Sequence, residues 1–163
     1  MAYLNKIMVA AAFGQYTEGL FRYAADLATR LNADLIVASI INERDVAAVR
    51  KIMDMGYNVD GEHYVSGIKA ERQQILDAIV KKSGFPKERI KTIFRVGNPV
   101  EALLKILLEE AVDMVVMGLK GRTDLEHVLI GSVAEKVFRR SPVTVVSYRD
   151  PGSVQRLKKR IQS

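Results

Sequence analysis

Five apolar runs, separated by amphipathic stretches, organise this chain. Leu4 to Phe13 is apolar on both faces, as a central strand of a parallel sheet is, and Leu35 to Ile41 repeats that character with branched residues. Arg89 to Val96 alternates in part, through Ile90, Thr92, Phe94 and Val96, and predicts a third strand nearer a sheet edge. Val112 to Met117 predicts a fourth, and Val143 to Ser147 a short β-branched fifth. The intervening segments follow a helical period. Thr17 to Asn32 sets Leu20, Tyr23, Ala24, Leu27, Ala28 and Leu31 on one face. Asn42 to Gly61 is the least regular region, with Val46, Val49, Ile52 and Met53 predicting a short helix that ends near Gly56. A longer helix from about His63 to Lys82 carries Ile68, Ile75, Leu76, Ile79 and Val80, and Gly84 and Pro86 stop it. Asn98 is a natural N-cap, Pro99 a natural first helical residue, and Val100, Leu103, Leu104, Leu107 and Leu108 form the apolar face that follows. Val133 to Arg140 is helical until Ser141-Pro142 breaks it. Strands alternating with helices predict a three-layer α/β fold with ligand at the strand C-terminal ends.

Composition narrows this to one globular domain. The chain has 163 residues, 48% of them hydrophobic, and a mean hydropathy of +0.02. Its apolar runs fall well short of the roughly 20 residues that span a bilayer. Lys6 followed by Ile7 to Ala12 superficially resembles a leader, but the short run continues into Phe13-Gly14 and a helical pattern, so it reads as a buried strand. The absence of cysteine excludes disulfides, thiolate metal sites and cysteine nucleophiles, and agrees with a cytoplasmic location. The net charge of +6 is unevenly placed: Arg149, Arg156, Lys158, Lys159 and Arg160 stand against Asp150 alone, leaving +4 on the tail and +2 on the rest. Residues 1–148 therefore form a domain that is no basic platform for nucleic acid. Residues 149–163 form a basic tail in which Val154, Leu157 and Ile161 share a helical face, read as solvated or loosely docked.

Candidate chemistry concentrates after the fourth apolar run. Gly118, Gly121, Gly131 and Ser132 are spaced as G-x2-G-x9-G-S, directly between a predicted strand and a predicted helix. Strand, glycine loop and helix N-terminus present backbone N–H groups and a positive dipole end to phosphate. Glycine suits such a loop because it permits positive φ and lets a ligand approach the backbone. Ser132 and Glu135 also make an S-x-x-E capping box, which accounts for Ser132 without a ligand but leaves Gly118 and Gly121 unexplained. Lys120 and Arg122 flank Gly121 and bring positive charge, partly offset by Asp124 and Glu126. Rival signatures are missing: there is no G-x-x-x-x-G-K-[ST], and no G-x-G-x-x-G follows the first strand. Ala10-Ala11-Ala12 lacks the acids that a magnesium-dependent receiver needs. His63 and His127 stand in unrelated contexts without metal-ligand spacing, and no nucleophile–base–orienter set is recognisable.

Val115-Val116-Met117-Gly118-Leu119-Lys120-Gly121, Ile130-Gly131-Ser132-Val133, Ser141-Pro142-Val143-Thr144-Val145-Val146 and Gly97-Asn98-Pro99 together resemble the universal stress protein family, over roughly Asn5 to Tyr148. The resemblance implies a five-stranded parallel sheet of order 3-2-1-4-5 with helices on both faces, a Rossmann-like fold of the adenine nucleotide alpha hydrolase type. Its glycine pattern marks the family's ATP-binding branch. By position, it implies that Gly118 and Gly121 wrap phosphates and ribose, and that Gly131, Ser132 and Val133 donate from the helix N-terminus. The backbone of Ile40 would hold the adenine edge, and any magnesium or manganese would be held mainly by the phosphates. Where ATP-binding relatives usually carry Asp at the end of the first strand, this chain has Ala12. Losing that carboxylate weakens affinity by about 0.5–3 kcal/mol, and makes a nucleotide-free member acting through protein contacts the alternative reading. The resemblance further implies a homodimer paired edge to edge through residues 143–147, a regulatory partner protein, and a sensor with at most slow hydrolysis.

Overall fold

Each apolar run becomes a strand, and the strands share one parallel sheet. A computed structural model of the chain describes residues 3–120 and 130–163. The strands are β1 (Lys6–Ala10), β2 (Asp34–Asn42), β3 (Ile90–Gly97), β4 (Met114–Gly118) and β5 (Thr144–Tyr148). All four pairings are parallel, in the order β3-β2-β1-β4-β5. The helices are α1 (Thr17–Leu31), α2 (Glu43–Asp54), α3 (Gly61–Ser83), α4 (Pro99–Glu109), α5 (Ser132–Arg140) and α6 (Pro151–Gln162), with a 3₁₀ turn at Lys87–Arg89. The expected fold, strand order and edge position of β3 are all present.

Alternation along the strands divides the core in two. Ile7 and Val9 of β1, Leu35 and Val37 of β2 and Val116 of β4 face Phe21, Ala24 and Ala28 of α1 and Leu76 and Ile79 of α3. Met8, Ile36, Val115 and Met117 face the other way, against Leu103, Ile106 and Leu107 of α4 and Ala134 and Val137 of α5. Both faces of the central strands are dry, which is why those runs read as continuously apolar. Chain direction reverses its lateral progress between β1 and β4, so the crevice between their C-terminal ends is the topological switch point where open α/β sheets bind ligands.

Element ends follow local chemistry. Asn98 Oδ1 accepts from the amides of Val100 (3.1 Å) and Glu101 (3.2 Å), with Pro99 opening α4 as predicted. Asp60 caps α3 through the Glu62 amide and Gly84 ends it at φ +72°, so this helix is longer at both ends than the apolar stripe alone indicates. The first strand is shorter than Leu4 to Phe13. Ala11 still donates to the Ala38 carbonyl (3.0 Å), but Phe13 lies in the left-handed region (φ 55°), which no strand residue can occupy. Val112, expected in the fourth strand, instead closes the end of α4 by donating to the Leu107 carbonyl after Ala111 turns left-handed.

The tail forms α6, and its first turn is fastened by side-chain hydrogen bonds. Asp150 caps it, accepting from the Ser153 amide (2.8 Å) and hydroxyl (2.6 Å), and Arg156 donates to the same hydroxyl (3.0 Å). A Cβ on Gly152 would come within 3.4 Å of the Tyr16 hydroxyl, so this turn is seated beside the segment leading into α1. Ile161 at the far end is 86% exposed. Burial opposes the Asp150 charge, but the Ser153 bonds and the Arg156 guanidinium outweigh it and hold the carboxyl below its ordinary 3.8.

Two predictions follow from these ends. Asn98→Ala leaves two amides of α4 uncapped and should destabilise the chain by about 1 kcal/mol, measured by denaturant unfolding. Because folding lowers the pKa of Asp150, its contribution is complete above 3.8 and is lost as pH falls through the lower folded value. Hydrogen-exchange protection of the first turn of α6 should therefore decline in that acid range in the native chain and show no such step in Asp150→Asn.

Candidate functional site

The expected ligand residues converge on the C-terminal end of the sheet. Ala12 follows β1, Ile40 lies near the end of β2, and Gly118 is the last residue of β4 with Lys120 just beyond. Gly131, Ser132 and Val133 open α5. In the ladder, Ala10 pairs with both Ala38 and Met117, so Ala12 and Gly118 lie just past the last paired residues, on the two sides of the switch-point crevice. Gly121, Arg122 and His127 lie outside the described residues.

The α5 N-terminus differs from the predicted capping box. Gly131, not Ser132, is the N-cap, and no side chain caps the helix. Ser132 is already the first helical residue, so its hydroxyl is out of register for the capping bond, and Glu135 pairs with Arg139 instead. The first intrahelical bond runs from the Glu135 amide to the Gly131 carbonyl (3.0 Å). The amides of Ser132, Val133 and Ala134 therefore have no intrahelical acceptor and point out of the positive end of the helix. The Gly131 amide, expected among the ligand donors, donates to the Leu119 carbonyl (2.6 Å) in this structure.

Of the two reasons expected for glycine here, positive φ does not apply at Gly118 or Gly131. Gly118 and Gly131 both lie outside the left-handed region, and among the described residues the nearest atom to a Cβ built on Gly118 is the Lys120 carbonyl oxygen at 3.8 Å. The fold would accept alanine at 118. What glycine supplies is a bare backbone at the mouth of the crevice, where a ligand can approach β4.

At the other side, β1 ends before it can pair with the Ile40 position. The register Ala10↔Ala38 puts Ile40 opposite Ala12, where the turn through Phe13 has left the ladder. The backbone edge of Ile40 on that side thus faces no strand. Its carbonyl accepts from Arg72 Nη1 (3.2 Å), a residue of α3 absent from the sequence-based site. The same Nη1 donates to the fully buried Ser39 hydroxyl (2.8 Å), and the guanidinium stands over the Phe13 ring, 5.4 Å from its centroid. Arg72 reaches this point from a different helix, so no local motif announces it.

The opposite end of the sheet offers a shallow cleft of about 200 Å³ among Lys6, Asp34, Arg89, Lys91 and Glu110. Its charges satisfy one another: Lys91 pairs with Glu110, Arg89 with Asp34, and Lys6 donates to the Glu110 carbonyl. That cleft reads as structural. Among the described residues no three histidine or acidic side chains are grouped to hold a metal ion.

A parallel 3-2-1-4-5 sheet with helices around it defines a Rossmann-like α/β domain. The sequence profile of the Universal stress protein family matches residues 4–149, and the chain belongs to that family. Universal stress protein MJ0577 of Methanocaldococcus jannaschii is 29% identical over 157 residues, covering 90% of this chain and 96% of its own. Universal stress protein YxiE of Bacillus subtilis is 28% identical over 148 residues, covering 87% and 98%. The solved structure of MJ0577 superposes with a TM-score of 0.71 at 27% identity, over 91% of this chain and 99% of that one. A universal stress protein crystallised in complex with cAMP superposes with a TM-score of 0.65 at 23% identity, over 91% and 98%.

The geometry at Gly118 makes a prediction that separates fold from site. Gly118→Ala should leave stability unchanged or raise it by up to about 1 kcal/mol, since the backbone angle is ordinary and the Cβ finds room. Denaturant unfolding measures this, and a clear loss of stability would make the glycine structural.

Proposed function

We propose that this chain binds an adenine nucleotide, ATP in the first instance, in the crevice between β1 and β4, and acts as a sensor or regulator. The observation that carries the reading is the α5 N-terminus: three amides without intrahelical acceptors open beside the bare backbone of Gly118. Such an end attracts phosphate through both hydrogen bonding and the helix dipole. In this reading Ser132 and Val133 donate to phosphate, with the exposed Ser132 hydroxyl beside them, and Lys120 contributes charge at the entry to the loop. Gly121 and Arg122 would complete the loop around the phosphates and ribose. Magnesium or manganese would be held mainly by the phosphates. The cAMP complex of a structural neighbour supports the reading at the level of the shared fold.

The same reading assigns residues 1–148 to the nucleotide-binding domain and 149–163 to an appended helix. It makes the protein cytoplasmic, with a regulatory partner protein, and a homodimer through β5, whose outer edge has no neighbour in the sheet. No side chain is assigned as general base, so hydrolysis, if present, is slow.

The second reading is a nucleotide-free member that works through protein contacts. Two observations favour it: Ala12 offers no carboxylate at the β1 side of the crevice, and the Ile40 carbonyl is engaged by Arg72.

Calorimetric titration decides between them. ATP should bind with measurable heat, more weakly in Gly118→Ala, whose added Cβ intrudes on the phosphate approach without harming the fold. No heat at millimolar ATP, with or without magnesium, removes the first reading and leaves the second.

A further inference from the structure

Among the described residues, Arg72 is a charged side chain that reaches the end of β2 and engages the backbone there. It does three things at once. From Nη1 it donates to the Ile40 carbonyl and to the Ser39 hydroxyl, and it lays a flat cation over the Phe13 face. Phe13 is held for this by a left-handed backbone that a phenylalanine adopts only under constraint. The amino-bearing edge of an adenine has the same attributes: planar, N–H donating at its rim, and able to stack on an aromatic ring.

We propose that Arg72 is the residue that sets affinity and base selectivity at the base end of the crevice, by standing in the place of the base. The proposal rests on the nucleotide-binding reading above. In this arrangement a base that brings an amino group to the Ile40 carbonyl and its face to the Phe13 ring competes with the guanidinium for the same place. Displacement breaks a charge-assisted bond and a cation–π contact, and leaves the buried Ser39 hydroxyl to find another partner. Part of this loss is returned as the guanidinium regains water, so the net handicap on ATP is modest, about tenfold in affinity. A base with a carbonyl in place of the amino group sets acceptor against acceptor at that position and keeps only its ring N–H as a donor, so it gains less from displacing Arg72 and suffers less of the handicap. Arg72 therefore compresses the difference between amino-bearing and carbonyl-bearing purines.

The test compares ATP, ITP and inorganic tripolyphosphate by calorimetry, each against the native chain and Arg72→Ala. Tripolyphosphate reads the phosphate end alone. ATP and ITP differ at the base edge, where ITP has a carbonyl in place of the amino group and a ring N–H in place of adenine's bare ring nitrogen. Removing Arg72 should tighten ATP about tenfold, leave tripolyphosphate unchanged and widen the ATP-to-ITP preference by about the same factor. Arg72→Met keeps an apolar stem over Phe13 but has no donor, and should behave alike if the alanine variant unfolds. Weaker or unchanged ATP binding in both variants, with tripolyphosphate still bound by all forms, overturns the proposal and leaves the nucleotide reading standing. If none of the three ligands binds any form, the nucleotide reading and this proposal fall together.

Discussion

The site depends on a mismatch in strand length. β2 runs on to Asn42, whereas β1 leaves the ladder after Ala11 because Phe13 turns left-handed. Had β1 continued, the backbone edge of Ile40 would be filled by ordinary ladder bonds and the crevice toward β4 would be closed. Ending it early leaves a carbonyl in need of a donor at the one place where the sheet reverses its lateral order. Arg72, Ser39 and the Phe13 ring are arranged around that need.

The two ends of the sheet handle polarity in opposite ways. At the N-terminal end the Asp113 carboxylate accepts from the amides of Asn5 and Lys6, and its own amide donates to the Lys6 carbonyl, fastening β1 to β4. The cross-strand charges there are paired as well, through Lys91–Glu110 and Arg89–Asp34. These exposed pairs add little stability individually, but they leave few groups for a ligand. The C-terminal end keeps donors without intrahelical acceptors at α5 and a bare stretch of backbone at Gly118.

Much of this was legible beforehand, and the exceptions share a cause. Five apolar runs, their alternation with helices, and the Asn98-Pro99 start of α4 are local patterns, and local patterns survive into the structure. The place of Gly118, Ser132 and Val133 at a strand-to-helix junction was equally readable. The errors concerned backbone angles and distant partners. Phe13 was counted as strand because its apolarity says nothing of its φ. Ser132 was read as a cap because S-x-x-E is ambiguous by one position, and Gly131 took the cap. Arg72 was missed because its targets, Ser39 and Ile40, lie 33 and 32 residues away.

Helix α6 adds a mechanical property to this architecture. Its first turn is clamped by Asp150, Ser153 and Arg156 and rests beside Tyr16, in the segment that carries the chain from Phe13 into α1. Ile161 and the end bearing Lys158, Lys159 and Arg160 stand out in solvent. A twelve-residue helix is about 18 Å long, so a tilt of about 10° at the clamp carries its tip about 3 Å. The densest positive charge of the chain is thus set at the far end of a helix whose first turn adjoins the segment leading from Phe13 into α1.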